Sequence, residues 1–252
     1  MALLTHQGRT CGESTDVAMK TIVAAAFQPY PRTAFRVFVL DDGRSESLRR
    51  AVEGLNSSMD SADIGLRAVT YLARDKYSSP THYKSGNLRF GLQHTKIYDG
   101  GSQFVAALDT DMIPETNWLA RAILPLREDP CVAMANPPQH FRNVPTEDLL
   151  GQDTGAFAQI LEPLRDRFGF SQCCGSGYVV RRQALESIGG WPLCNVGEDI
   201  VCSCALMEAG WKTAHVNEEL QSGIVAGSFH AYVAQRIRWV SFHVPSPQKN
   251  DG

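Results

Sequence analysis

The sequence lacks the features that would assign it quickly. Its formal net charge is only −3 over 252 residues, so it exerts no general pull on nucleic acid or an anionic membrane. A phosphorylated ligand would have to be held by locally placed Lys, Arg, backbone N–H groups or a metal. No run of about 18 apolar residues occurs, which leaves no candidate transmembrane helix. Residues 1–10 have neither a basic start nor an apolar core, so they do not read as a signal peptide. There is no CxxC pair and no zinc-finger spacing among the seven cysteines, Cys11, Cys131, Cys173, Cys174, Cys194, Cys202 and Cys204. An odd, scattered set of this kind reads as reduced and mostly buried thiols of a cytosolic domain rather than a disulfide framework. Repeats and low-complexity tracts are also missing, and only residues 245–252 look like a polar tail.

What is present is a hydrophobic fraction of 43%, enough for a large core. Short β-branched runs alternate with helical patterns, which is the signature of an α/β sandwich. Strands are expected at residues 36–40 (RVFVL), 66–72, 104–108 (FVAAL), 131–135 and 178–181. Helices are expected at 16–27, 45–55, 85–94, 117–126, 154–168, from 182 to 188, 198–209 and 228–239. Two of the clearest strands stop at acidic residues, Asp41-Asp42 and Asp109. Ligands of open α/β sheets bind beyond the carboxyl ends of the strands, so these acids are expected to face one crevice.

Five short patterns have chemical content. Asp109-Thr110-Asp111 places two hard oxygen ligands two residues apart. In extended backbone they point the same way, and such a pair suits Mg²⁺ or Mn²⁺ beside a diphosphate. Alone, such a pair is more often a solvated turn than a metal site, and its position after a buried strand raises the metal reading. Asp41-Asp42-Gly43 offers an acceptor for a base or ribose, against the plain reading of a tight Asp-Gly turn. In His82-Tyr83-Lys84-Ser85-Gly86-Asn87-Leu88, Lys84 is a point charge for phosphate and Gly86 allows close backbone approach, although the glycine spacing is not that of a P-loop. Gly197-Glu198-Asp199 opens a helix, where acids usually serve the helix dipole; the functional reading makes Asp199 a general base. In Gln235-Arg236-Ile237-Arg238-Trp239, helical spacing puts Gln235 and Trp239 on one face, with Arg238 for a diphosphate and Trp239 for a sugar ring.

The order of these patterns is more specific than any one of them. DDG, HxKxGNL, DxD, an ED pair after GGWP, then QxxRW resembles the catalytic domain of cellulose-synthase-like processive glycosyltransferases of family 2. Thr10-Cys11-Gly12-Glu13 resembles that family's opening Thr…Glu element, and residues 136–141 (NPPQHF) its TPQxF segment. The resemblance runs from about Thr10 to Trp239. It implies a GT-A fold, with a mixed, mostly parallel sheet flanked by helices. One domain over residues 1–244 would have a nucleotide-binding half at about 10–112 and an acceptor half at 113–244. It implies donor contacts from Thr10, Glu13, Asp41 or Asp42, Lys84, Gly86, Asn87, Asp109, Gln235, Arg238 and Trp239. The metal would sit at Asp109 and Asp111, with Mn²⁺ or Mg²⁺ as cofactor. Asp199 would be the catalytic base, and Gln139, Gly175, Ser176, Glu198 and Trp239 would lie on the acceptor side. The implied reaction moves a sugar from a UDP-sugar, UDP-glucose first, to the hydroxyl of a carbohydrate or small molecule, with inversion to a β-glycoside.

Three departures stand out. Gly197 replaces a threonine, Ser85 an alanine, and Gly177 an asparagine. The chain also carries no helices for an export channel. That leaves a soluble enzyme, the excised catalytic domain of a membrane synthase on the cytoplasmic face, or a non-catalytic nucleotide-sugar-binding or docking module. Residues 228–239 are a candidate for membrane-surface contact, with a narrow apolar face. A nucleic-acid partner is not expected.

Overall fold

The computed structural model describes residues 1–6, 14–62, 69–75, 83–99, 101–194 and 197–240. In chain order the described elements begin with β1 (Ala2–His6), α1 (Thr15–Ala26), β2 (Val37–Asp41), α2 (Glu46–Ala62), β3 (Val69–Leu72) and α3 (Tyr83–Asp99). β4 (Phe104–Asp109), β5 (Ile113–Pro114), α4 (Trp118–Ala122), α5 (Leu124–Glu128), β6 (Val132–Asn136) and β7 (His140–Phe141) follow. A π-helical stretch, Phe157–Leu161, leads into α6 (Glu162–Asp166). β8 (Tyr178–Arg181), α7 (Arg182–Ser187), α8 (Glu198–Glu208), β9 (Lys212–His215), β10 (Gln221–Gly223) and α9 (Phe229–Val240) complete the series.

The main sheet has seven strands in the order β3-β2-β1-β4-β8-β6-β9. β1 pairs in parallel with both β2 and β4, and β8 runs antiparallel to β4 and β6. This is the mixed, mostly parallel sheet expected. A small sheet, β5-β10-β7, sits apart from it. Strand alternation divides the core between the two faces of the main sheet. Ala2, Leu4, Val37, Val39, Ala106 and Leu108 join one buried cluster, and Leu3, Phe38, Leu40, Val105 and Ala107 join the other. Every residue of β2 is buried, so it reads as a continuous apolar run because helices cover both faces.

β1 is the largest departure from the sequence reading. Ala2–His6 lies between the two strands that end in acids, yet four apolar or β-branched residues carry no period that separates a strand from a loop. Two expected helices are interrupted. Residues 117–126 give α4 and α5, broken at Ile123 just ahead of Pro125. Residues 154–168 pass through the π-helical stretch before Pro163. A proline removes one helical donor and crowds the carbonyl four residues back, and the wider π turn relieves that crowding. α3 begins two residues earlier than expected, so Lys84 lies inside its first turn. Among the described residues no helix is long and apolar enough to cross a membrane. The six described cysteines are free thiols, with Cys173 and Cys202 buried but Cys131 and Cys204 exposed, so burial is less general than expected.

Candidate functional site

The carboxyl ends of β1 and β4 meet the first turns of α3 and α8 and the loop before β8. Lys84 is the hub. Its Nζ lies 2.6 Å from Asp109 Oδ1 and 3.6 Å from Glu198 Oε1, and it donates to the Gly175 carbonyl at 2.5 Å. Thr5 Oγ1 donates to the same Asp109 oxygen at 2.8 Å, because the parallel register sets Thr5 beside Asp109. Ser176 Oγ accepts from the Asp109 backbone N–H at 3.1 Å. Asp199 closes the group. A Cβ built on Gly175 would stand 2.9 Å from Asp199 Oδ2 and 4.0 Å from Lys84 Nζ, and Gly175 has φ +92°. Only glycine meets both demands.

Three carboxylates therefore surround one ammonium in a nearly dry setting. Lys84 and Glu198 are each 8% exposed. Burial alone would depress the Lys84 ammonium, but Asp109 and Glu198 outweigh it and its pKa is raised. Burial raises the carboxyls of Glu198 and Asp199 above the ordinary range, and Lys84 partly opposes this. Burial, followed by the charge of Asp199, pushes the Cys202 thiol up to about 12, so it stands as a neutral wall beside the acids. Behind the cluster, fully buried Glu162 accepts from Ser171 Oγ at 2.9 Å and from the Gln172 N–H at 2.8 Å. It thereby anchors the segment that leads into Gly175.

The acids after β2 are differently used. Asp41 accepts from the N–H groups of Gly43 and Ser45, both at 2.6 Å, and from Tyr71 Oη at 2.7 Å. Asp42 takes a two-pronged pair from Arg74, at 2.6 and 2.9 Å, with both residues buried. The tight-turn reading is the geometry found here. Asn87 is buried and donates to the Leu40 carbonyl at 2.9 Å, while among the described residues its Oδ1 has no partner. Gly86 lies with it in the first turn of α3.

The DxD pair does not continue the extended backbone that the alternation argument assumes. β4 stops at Asp109, and a turn closed by the Met112 N–H on the Asp109 carbonyl at 3.0 Å leaves Thr110 buried and Asp111 exposed. Strand alternation therefore does not set how the two carboxylates lie relative to each other.

The structure thus brings together Lys84, Asp109, Gly175, Ser176, Glu198 and Asp199. Gln139 is half-buried on a separate concavity beside β7. Gln235 is half-buried on α9, which also carries Arg238 and Trp239 in its last turn. Thr10 and Glu13 lie outside the described residues. Sequence reasoning missed Thr5, Tyr71, Arg74 and Gln221. Gln221 answers the question raised by Gly177. A Cβ on Gly177 would fall 2.4 Å from the Gln221 carboxamide, which is buried and donates to the Ser176 carbonyl at 2.8 Å. The missing side chain is replaced by one from β10. Trp118 Nε1, donating to the Gly177 carbonyl at 2.7 Å, fixes the same loop.

Asp109 and Asp111 have the oxygen-ligand chemistry of a divalent-ion site. Both contacts to the Asp109 carboxylate fall on Oδ1, and among the described residues none reaches Oδ2. Among those residues there is also no cluster of three metal-binding side chains. Two aspartates suit an ion that draws its remaining ligands from phosphate and water.

Comparison with known proteins gives the family and the fold. The family model described as "Glycosyl transferase family group 2" matches residues 104–241, more than half of the chain. The chain is 27% identical to the cellulose synthase 1 catalytic subunit [UDP-forming] of Komagataeibacter xylinus, over 96% of its own length and 32% of that protein's. It thus spans about a third of that relative. Among solved structures it resembles the mannosyltransferase PcManGT from Pyrobaculum calidifontis in complex with GDP-Man and Mn2+, with TM-score 0.70 and 19% identity over 94% of this chain and 59% of that one. It also resembles S. aureus TarS 1–349 in complex with UDP-GlcNAc, with TM-score 0.63 and 12% identity over 91% and 59% of the two chains. These likenesses establish the GT-A fold.

Proposed function

Because this chain belongs to glycosyl transferase family group 2, with a cellulose-synthase-like domain, we propose that it transfers a sugar from a UDP-sugar to an acceptor hydroxyl with inversion. The observation that carries this reading is the single buried ammonium of Lys84 among Asp109, Glu198 and Asp199, at the carboxyl edge of the sheet.

The donor diphosphate lies against Lys84 and the first turn of α3, where backbone N–H groups and the helix dipole favour an anion. The QxxRW residues Gln235, Arg238 and Trp239, carried on α9, are further donor contacts in this reading. That the related cellulose synthase catalytic subunit is UDP-forming supports UDP as the leaving group. Mn²⁺ or Mg²⁺ would be held by Asp109 and Asp111, and when bound would offset negative charge on the leaving diphosphate.

Asp199 takes the proton from the acceptor hydroxyl as that oxygen bonds to the anomeric carbon. The bond from that carbon to the β-phosphate oxygen breaks, and its electron pair leaves with the diphosphate. Attack from the face opposite the leaving group gives a β-glycoside from an α-linked donor. The raised pKa of Asp199 favours proton uptake, while Lys84 limits the rise so that the carboxylate remains available. Acting either as a free enzyme or as the catalytic part of a larger cytoplasmic-face synthase, the domain would perform the same step.

The test is a panel of UDP-glucose, UDP-N-acetylglucosamine and GDP-mannose with Mn²⁺ or Mg²⁺, measuring free nucleoside diphosphate with and without sugar acceptors. Release of UDP that depends on metal and rises with acceptor is expected. Tight UDP binding without release under any of these conditions would instead identify a non-catalytic nucleotide-sugar-binding module.

A further inference from the structure

Asp199 is only as well placed as the backbone that carries it. Downstream, that backbone is clamped. Ser203 Oγ donates to the Asp199 carbonyl at 3.0 Å and accepts from the Cys173 N–H at 2.9 Å. The first turn of α8 is thereby tied to the segment that leads to Gly175. Upstream, α8 starts at Gly197, which has no side chain with which to cap the helix. The hold on that side comes from α3. Ser85, buried in the first turn of α3, donates from Oγ to the Cys194 carbonyl at 2.9 Å, across 109 positions of sequence. Cys194 stands on the approach to α8, three residues after Trp191. Trp191 is itself buried, and its Nε1 donates to Tyr178 Oη at 3.0 Å. The loop is thus pinned to β8 by Trp191 and to α3 by Ser85.

The place of Ser85 matters because of its neighbour. Lys84 and Ser85 leave the same helical turn. The Lys84 ammonium reaches Asp109 and Glu198, and the Ser85 hydroxyl reaches the chain just ahead of Glu198 and Asp199. The turn that meets the donor phosphate in the transfer reading is therefore tied twice to the start of α8, once by charge and once by a neutral hydrogen bond. When the ammonium turns to a phosphate, the charged tie loosens. The hydroxyl-to-carbonyl bond has no charge to exchange and stays in place. A shift of about 1 Å in a reacting group can cost about 10²-fold in rate, so a tie that outlasts the exchange has a direct kinetic value.

We propose that Ser85 is a positioning residue for the transfer: its hydroxyl holds the approach to α8 against α3, so that Asp199 keeps its place while Lys84 exchanges carboxylate for donor phosphate. The proposal rests on the transfer reading of Asp199.

Ser85→Ala and Ser85→Thr test it. UDP release gives kcat and donor KM, calorimetry gives UDP affinity, melting gives the folded fraction, and amide hydrogen exchange is followed over residues 197–203. Ser85→Ala is expected to lower kcat about tenfold, with donor KM, UDP affinity and folded fraction unchanged, and to speed exchange over residues 197–203. Ser85→Thr, which keeps the hydroxyl, is expected to restore both the rate and the protection. Wild-type kcat in Ser85→Ala, a loss that only follows the folded fraction, or equal losses in both folded variants overturns the proposal. If the wild type releases no UDP with any donor, the transfer reading fails and hydrogen exchange decides the tie. Faster exchange in Ser85→Ala that Ser85→Thr reverses then supports it, and any other exchange result overturns it. If UDP is released and Ser85→Ala matches the wild type, the positioning role fails and the transfer reading stands.

Discussion

Two acidic strand ends lie on either side of β1, and they have opposite fates. At the end of β2, Asp41 and Asp42 turn inward, to the turn's own N–H groups, Tyr71 and Arg74. At the end of β4, Asp109 is partly open, with a side chain 27% exposed, and it shares its ammonium with two more acids from α8. The sequence presents both as an acid after a buried strand. The neighbours decide which is a structural fastener and which can change partners. A carboxylate whose lone pairs are filled by the chain stabilises a turn. One that shares a single cation with two others can exchange that cation for a ligand.

The sharpest way to break this contrast is on the α8 side. Asp199→Asn is expected to lower kcat by about 10²–10⁴-fold with donor KM nearly unchanged, measured as UDP release. Near-normal turnover would remove Asp199 as the base. Next comes the fastener. Arg74→Met removes the two-pronged partner of the buried Asp42 carboxylate and is expected to cost about 3–5 kcal/mol of stability, read from urea unfolding. If Arg74→Met unfolds like the wild type but loses UDP affinity, the β2 end is a binding site and the contrast fails.

Smaller effects sharpen it. Gly175→Ala sets a Cβ against Asp199 at positive φ, a strain of about 1–3 kcal/mol. It should reduce kcat and the melting midpoint together. Tyr71→Phe removes one of three donors to Asp41 and should cost about 1 kcal/mol with turnover intact. The pH profile gives the mildest test. Asp199 acts only when deprotonated, and burial raises its pKa. Activity should therefore rise with pH through a midpoint above that of an ordinary aspartate and then level off. An acid limb at the usual aspartate position would contradict the dry setting.

The parts of the fold that were legible are those with long apolar runs. RVFVL, FVAAL and the strand at 178–181 announce themselves, and the acid or basic residue after each marks its end. Lys84, Asp109, Ser176, Glu198 and Asp199 were legible through the order of their motifs. What escaped depends on distance along the chain. Tyr71 and Arg74 reach Asp41 and Asp42 from 30 and 32 residues away. Gln221 fills the space above Gly177 from a strand too short to be recognised. Pro125 and Pro163 sit at helix starts inside longer helical patterns, and the apolar spacing on either side of them hides the interruption. β1 had no pattern long enough to declare itself, so Thr5, the neighbour of Asp109, went unseen.

The central place of β1 also bears on how the protein reaches this form. Thr5 and Asp109 are 104 positions apart, and Lys84 and Gly175 are 91 apart. Contacts of such separation close large loops before any enthalpy is returned, which slows folding. On the ribosome, the strand that must sit between β2 and β4 emerges first and waits for one of its two partners. The carboxylate cluster cannot be completed until α8 has been synthesised. Until β2 emerges, β1 is a bare apolar strand with both edges open, the kind of segment that chaperones protect.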